Sequence, residues 1–232
     1  MIYSKQAAIS STRAIALLAC LSITLAFSQT DGESQLLKSY GIKIGISSAS
    51  QDWSYNPTSS IIANSVRRNG LDIGIYAEWF NVPYFSVISE GHFIQKGSRV
   101  SKYEHMLVPT SGIYFSGYSP RVNYVSVPIL AKVRFSVSTI EPYLLFGPHF
   151  NYILSHSGMV ASNNIDRFDI GATMGVGVGV LSISQVHFGA EFRYSPSFTN
   201  IYSVSSLTVG DGTVSELKVR NSSLEFLVVM SY

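Results

Sequence analysis

Residues 168–180 read FDIGATMGVGVGV. Even positions carry Phe168, Ile170, Ala172, Met174, Val176, Val178 and Val180. Odd positions carry Asp169, Gly171, Thr173, Gly175, Gly177 and Gly179. A period of two marks a strand whose two faces meet different surroundings. Here one face is oily throughout and the other is nearly bare. The triplet of glycines at 175, 177 and 179 does not form a phosphate cradle, because a cradle needs a strand before it and a helix after it, and here the strand pattern runs straight through.

The same partition recurs along the chain in eight segments, over about 39–49, 70–80, 83–97, 121–135, 139–154, 166–180, 184–198 and 219–232. No segment has an amphipathic helical period of useful length. Short connections at Asn81-Val82, Ser136–Ser138 and Leu181–Ile183 alternate with long ones over 50–69, 98–120, 155–165 and 199–218. Short links at one end and long ones at the other describe an up-and-down antiparallel meander. Eight such strands can close on themselves and leave no open edge. The predicted fold is therefore all-β, an eight-stranded antiparallel up-and-down barrel, and a transmembrane one for the following reasons.

Charge placement separates the two faces. The apolar face carries charges only at segment ends, at Arg121, Asp166 and Arg220. Lys43, Asp72, Glu78, Glu90, Lys132, Arg134, Asp169, Glu191, Arg193 and Glu225 all fall on the opposite face. Lipid imposes this rule, since a basic residue at mid-bilayer on a barrel's outer wall costs about 2–4 kcal/mol. Aromatic residues gather at both ends of the apolar face. Tyr40, Trp79, Phe85, Phe135 and Tyr232 lie near the short connections, and Phe93, Phe150, Phe168 and Tyr194 near the long ones. Two such belts are expected where a barrel crosses two membrane–water interfaces. The alternative is a soluble, lipocalin-like ligand-binding barrel with its apolar face turned inward, which gives no reason for the belts. The third segment is the weakest, because Ser89 and Gly91 interrupt its outer face.

The N-terminus is a separate unit. Lys5 and Arg13 precede an apolar run from Ala14 to Phe27, and Ala26-Phe27-Ser28 places small residues where a signal peptidase reads. Residues 1–28 are expected to be a secretory signal peptide and 29–232 the barrel domain, since the run is too short and wrongly flanked to span a bilayer. The one cysteine, Cys20, lies inside this segment in a box, Leu17–Cys20, that only faintly resembles a lipoprotein site. The mature chain would then have neither a disulfide nor a thiolate. Of 16 basic and 14 acidic residues, Lys5 and Arg13 leave with the signal, so the mature count is 14 and 14. That balance gives no electrostatic footprint for nucleic acid. Charged residues make up 13% of the chain, about half the usual soluble share.

No catalytic, cofactor-binding or metal-binding residues stand out. His92, His105, His149, His156 and His187 form no paired ligand spacing, and no nucleophile elbow or spaced carboxylate pair is present. The ten inward charges are expected to neutralise one another in a lumen about wide enough for side chains alone. Trp53, Tyr55, Tyr114, Phe115 and Tyr118 fall in the long connections and are candidate contact residues, because loops carry function and aromatic groups suit protein contact.

Several stretches carry a family likeness: YVSVPIL at 124–130, EPYLLFGP at 141–148, FDIG at 168–171 with its glycine run, EFRY at 191–194 and TNIY at 199–202. With these the chain resembles the PorT-like outer-membrane β-barrel proteins of Bacteroidetes-type bacteria over about 39–232. Terminal Tyr232 looks like the C-terminal signal read by the barrel-insertion machinery. The resemblance implies a multi-pass β-barrel of the outer membrane after signal cleavage. It also implies a non-enzymatic structural or accessory role in protein secretion or surface assembly, with secretion-system or cell-surface proteins as partners and no cofactor. The alternative is a narrow channel for small solutes.

Overall fold

The computed structural model describes residues 36–56, 65–80, 82–100, 119–135, 140–157, 165–183, 186–209 and 213–232. The expected signal peptide, 1–28, lies outside them. All regular structure in the described residues is β. The strands are β1 (Leu37–Asn56), β2 (Ser65–Trp79), β3 (Phe85–Val100), β4 (Arg121–Arg134), β5 (Glu141–Ser157), β6 (Phe168–Ile183), β7 (Val186–Pro196), β8 (Tyr202–Val209) and β9 (Thr213–Ser231).

Each strand from β1 to β7 pairs antiparallel with the next, β7 pairs with β9, and β9 pairs back to β1. Eight strands, β1 to β7 and β9, thus close the barrel. At the closing seam Gly41 faces Ser231 and the register runs to Asn56 opposite Glu216. Below it, the Tyr40 amide donates to the Tyr232 carbonyl at 3.1 Å and the Tyr232 amide returns the bond at 2.8 Å. The two rings lie 5.7 Å apart on the outer wall.

The oily faces point outward along every barrel strand. Ile42, Ile44 and Ile46 of β1, Leu71, Ile73 and Ile75 of β2, and Phe226, Val228 and Met230 of β9 are all exposed. The inward faces hold Lys43, Asp72, Glu78, Glu90, Arg134, Asp169, Glu191, Arg193 and Glu225, all buried. Inverted polarity of this kind is how a barrel built for lipid differs from a soluble one.

Three expectations need correction. The expected connection 50–69 is strand at both ends: β1 continues through 50–56, so Trp53 and Tyr55 belong to a strand, opposite Val219 and Leu217 of β9, and β2 begins at Ser65. Residues 199–218 were assigned to another connection, yet they hold β8 and the first part of β9, with Tyr202 opposite Val219 and Val209 opposite Thr213. β8 takes over the edge of β9 where β7 stops, at Pro196 opposite Ser222. The strands β1, β9 and β8 thereby form a three-stranded extension beyond the barrel wall. Finally, Leu181–Ile183 belong to β6, which passes a register shift between Gly179 and Leu181 and reaches Ile183 opposite Val186. Tyr114, Phe115 and Tyr118 lie outside the described residues.

Candidate functional site

The barrel interior is stacked in layers. Nearest the short connections, the Glu78 carboxylate gathers three cations. Oε1 accepts from Lys38 Nζ at 3.0 Å, Arg134 Nη1 at 2.8 Å and Ser86 Oγ at 2.9 Å, and Oε2 accepts from Lys132 Nζ at 3.2 Å. Arg134 Nη2 also donates to the carbonyls of Val82 and Phe85, tying this layer to the turn between β2 and β3. Lys132 lies 4.2 Å from the Tyr143 ring centroid, close enough for a cation–π contact.

The middle layer is a closed quartet of two cations and two anions. Lys43 Nζ donates to Glu90 Oε1 at 2.7 Å and to both Glu191 oxygens at 2.8 and 3.0 Å. Arg193 holds Glu90 through two bonds, Nη1 to Oε2 at 2.7 Å and Nη2 to Oε1 at 2.8 Å. It reaches Glu191 through Nε at 2.8 Å and through Nη2. Tyr143 OH adds a bond to Glu191 Oε1 at 2.8 Å. No side chain of the quartet exceeds 2% exposure. Charges this deeply buried cost several kcal/mol each to desolvate, and only full pairing offsets that cost. An apolar collar of Tyr76, Ile88, Leu130, Tyr143, Leu145 and Val229 packs beside them, with Tyr76 against Lys43 and Tyr143 against Glu191.

The glycine run of β6 makes room for this plug. Gly177 sits opposite Tyr143, and a Cβ there would come within 2.3 Å of the tyrosine ring. At Gly175 it would meet Arg193 Cγ at 2.9 Å, and at Gly171 the His149 ring at 2.5 Å. The facing backbone comes closer still, with the Pro196 carbonyl 2.2 Å from a Cβ at Gly171 and the Phe192 carbonyl 2.7 Å from one at Gly175, so the bare inward face reflects close strand approach as well as large side chains.

Beyond the quartet, His92 bridges to the next layer, with Nδ1 2.6 Å from Asp72 Oδ1 and Nε2 3.0 Å from Glu90 Oε2. A cavity of about 10 Å³ lies here among Asp72, Lys96, His149 and Glu225, room for at most one water. Lys96 lies over the Tyr124 ring, 5.8 Å from its centroid. At the long-connection end, Asp169 is held by neutral donors: Asn151 Nδ2 at 3.0 Å, Ser197 Oγ at 2.7 Å and Thr199 Oγ1 at 2.9 Å.

The ten inward charges therefore do not all pair with one another. Lys43, Glu90, Glu191 and Arg193 meet in the middle, and Glu78 meets Lys132 and Arg134 below. Asp72 meets a histidine, while Asp169 and the Glu225–Ser223 pair (2.8 Å) rest on hydroxyl and amide donors. Sequence reasoning did not bring Lys38 and Lys96 into the lumen. Lys96 is in phase with Glu90 and His92 on β3, a signal the alternation contained. Lys38 lies at the register shift between Leu37 and Ser39, where alternation fails. Among the described residues, no group of three or more His, Cys, Asp or Glu has an arrangement that could hold a metal ion.

The chain is similar in fold to solved outer-membrane proteins. Outer membrane protein OprG from Pseudomonas aeruginosa is 10% identical, with a TM-score of 0.52 over 84% of this chain and 95% of that one. Neisserial surface protein A is 17% identical, with a TM-score of 0.42 over 83% and 97%. Ail, the attachment invasion locus protein of Yersinia pestis, is 13% identical, with a TM-score of 0.41 over 84% and 98%. Among curated proteins none matches the sequence. The OprG likeness establishes the fold only. The family described as outer membrane protein beta-barrel domain matches residues 27–203, most of the chain. This protein belongs to that family, and its place is the outer membrane.

Proposed function

We propose that the barrel is a non-enzymatic, PorT-like accessory protein that supports protein secretion or surface assembly, with the membrane-spanning part as anchor and the β1–β9–β8 extension as the working surface. The observation that carries this reading is the quartet of Lys43, Glu90, Glu191 and Arg193, which fills the lumen at mid-height with side chains no more than 2% exposed. An eight-stranded barrel has an interior about wide enough for side chains, and this one uses it for packing. That favours an anchor over a solute channel. The extension supplies what an anchor needs, since it stands beyond the barrel wall and is built from backbone pairing. Secretion-system or cell-surface proteins are the partners this reading calls for, and the barrel-insertion machinery acts at assembly.

The test has two arms. The mature protein, reconstituted in planar bilayers, is expected to give no stable unitary conductance; steady single-channel steps would favour the channel. Cells lacking the protein are expected to lose specific proteins from their secreted and surface fractions. Secreted and surface proteomes identical to those of the parent strain would end the accessory reading.

A further inference from the structure

The outer wall over β2, β3 and β4 departs from the rest of the barrel at two heights. In the middle of the apolar band, Ser89 and Gly91 of β3 take outward positions, next to Ala77 and Ile75 of β2. A Cβ built on Gly91 would meet nothing within 4 Å. Ser89 is drawn in by the neighbouring strand, accepting a bond from Trp79 Nε1 at 2.8 Å. The result is a shallow trough, with Ile75 beside it 61% exposed.

Further along the same strands the wall turns cationic. Arg121 lies opposite Gly97, and Arg99, two positions on, lies opposite Val66; both arginines are exposed. The register shift between Arg67 and Asp72 lets Arg68 leave its own strand and cross over Gly97. There its Nη1 donates to Ser119 Oγ at 2.8 Å and to the Ser119 carbonyl at 3.1 Å. Arg99 and Arg121 are near enough for their charges to act on Arg68. Among the described residues, none of the three arginines has a carboxylate within ion-pair distance. Among the described residues, these like charges are held together without a counter-ion.

Their height says what supplies the counter-ion. Gly97 is four residues beyond the belt residue Phe93, about 13 Å along the strand and about 10 Å along the membrane normal at the usual tilt. Arginine side chains at that level reach the headgroup layer. We propose that Arg68, Arg99 and Arg121, with the trough at Gly91 below them, form a binding site for a phosphorylated lipid of the leaflet at the long-connection end. The guanidinium groups take the phosphate in paired, charge-assisted hydrogen bonds, and one acyl chain lies in the trough. The site is independent of the accessory role, since it requires only that the wall face lipid.

The experiment is native mass spectrometry of the full mature protein in detergent, offered diphosphoryl lipid A, the same lipid with both phosphates removed, or a soluble sulfated oligosaccharide. Heat-shifted gel mobility confirms that each variant is folded. The parent protein is expected to retain the diphosphoryl form at least tenfold over the dephosphorylated one. Arg99→Gln/Arg121→Gln is expected to erase that preference, and Arg220→Gln, elsewhere on the rim, to leave it unchanged. Gly91→Leu is expected to lower lipid retention several-fold without altering oligosaccharide binding. Undiminished preference in the double variant, or an equal loss in Arg220→Gln, overturns the site. Oligosaccharide binding as tight as lipid binding, with Gly91→Leu inert, overturns the lipid as its ligand.

Discussion

Arg193 touches both carboxylates of the central quartet, so removing its charge leaves Glu90 with Lys43 and the His92 ring, and Glu191 with Lys43 and the Tyr143 hydroxyl. Breaking a buried pair from one side costs about 3–5 kcal/mol, whereas replacing both partners by apolar groups can be close to neutral. Arg193→Met is therefore expected to lower stability by about that amount in urea titration of the lipid-reconstituted barrel. Arg193→Met/Glu90→Met is expected to recover part of the loss. A double variant as unstable as the sum of its singles would mean that the quartet is not an energetic unit. At this scale the sequence was informative about position and less so about partners. Alternation placed the ten inward charges, because a two-residue period specifies faces. It could not say that Asp169 is served by Asn151, Ser197 and Thr199 while Glu90 is served by cations, since that depends on strand register and tilt.

Strands inside the bilayer announced themselves, and strands outside it did not. The oily face that identifies β6 is a demand of lipid, which vanishes beyond the belts. Hence SQDWSYN at 50–56 and YSVSSLTV at 202–209 read as polar connections although both are strands. The same cause misplaced Trp53 and Tyr55. Phe80 shows the opposite limit: its φ of 67° is a left-handed turn conformation that no local pattern signalled. The extension gives a direct test of sidedness, because the sequence has one cysteine, Cys20, and a Cys20→Ser background leaves an introduced cysteine as the sole thiol. Ser54 on β1 and Val82 at the β2–β3 turn are both exposed and lie at opposite ends. In bacterial barrels of this kind short turns face the periplasm and long connections face outward. Ser54→Cys is thus expected to react with a membrane-impermeant maleimide on intact cells, and Val82→Cys only after the outer membrane is opened. The reverse pattern would invert the molecule.

For the molecule as a whole, the barrel and its extension are separable in energetic terms. All the charged layers and the apolar collar lie within the eight barrel strands, and β8 pairs with β9 alone. Replacing residues 204–217 by a two-residue Asn-Gly turn, which keeps Ser203 opposite Lys218, should therefore leave the barrel closed, with its gel mobility still shifting on boiling. Loss of the shift would show that the extension is needed to hold β9 in place. Closure itself was legible in advance, because an even set of strands with one oily face has no stable open form in lipid.

The seam at Tyr40 and Tyr232 has a bearing on how such a protein is made. Every other seam of the barrel joins strands that follow one another along the chain, with β8 alone intervening between β7 and β9, so each can form as soon as its second strand arrives. The last one joins β1, the first of the described strands, to β9, the last of them. Until β9 has been delivered, β1 and the growing sheet present two unpaired edges, and hydrocarbon offers them nothing to bond with. The first strand must be kept waiting, its polar backbone sheltered, for as long as translocation lasts. Synthesis time is thereby written into the fold as an interval of dependence on a chaperone, and it ends in a single step when Tyr232 meets Tyr40.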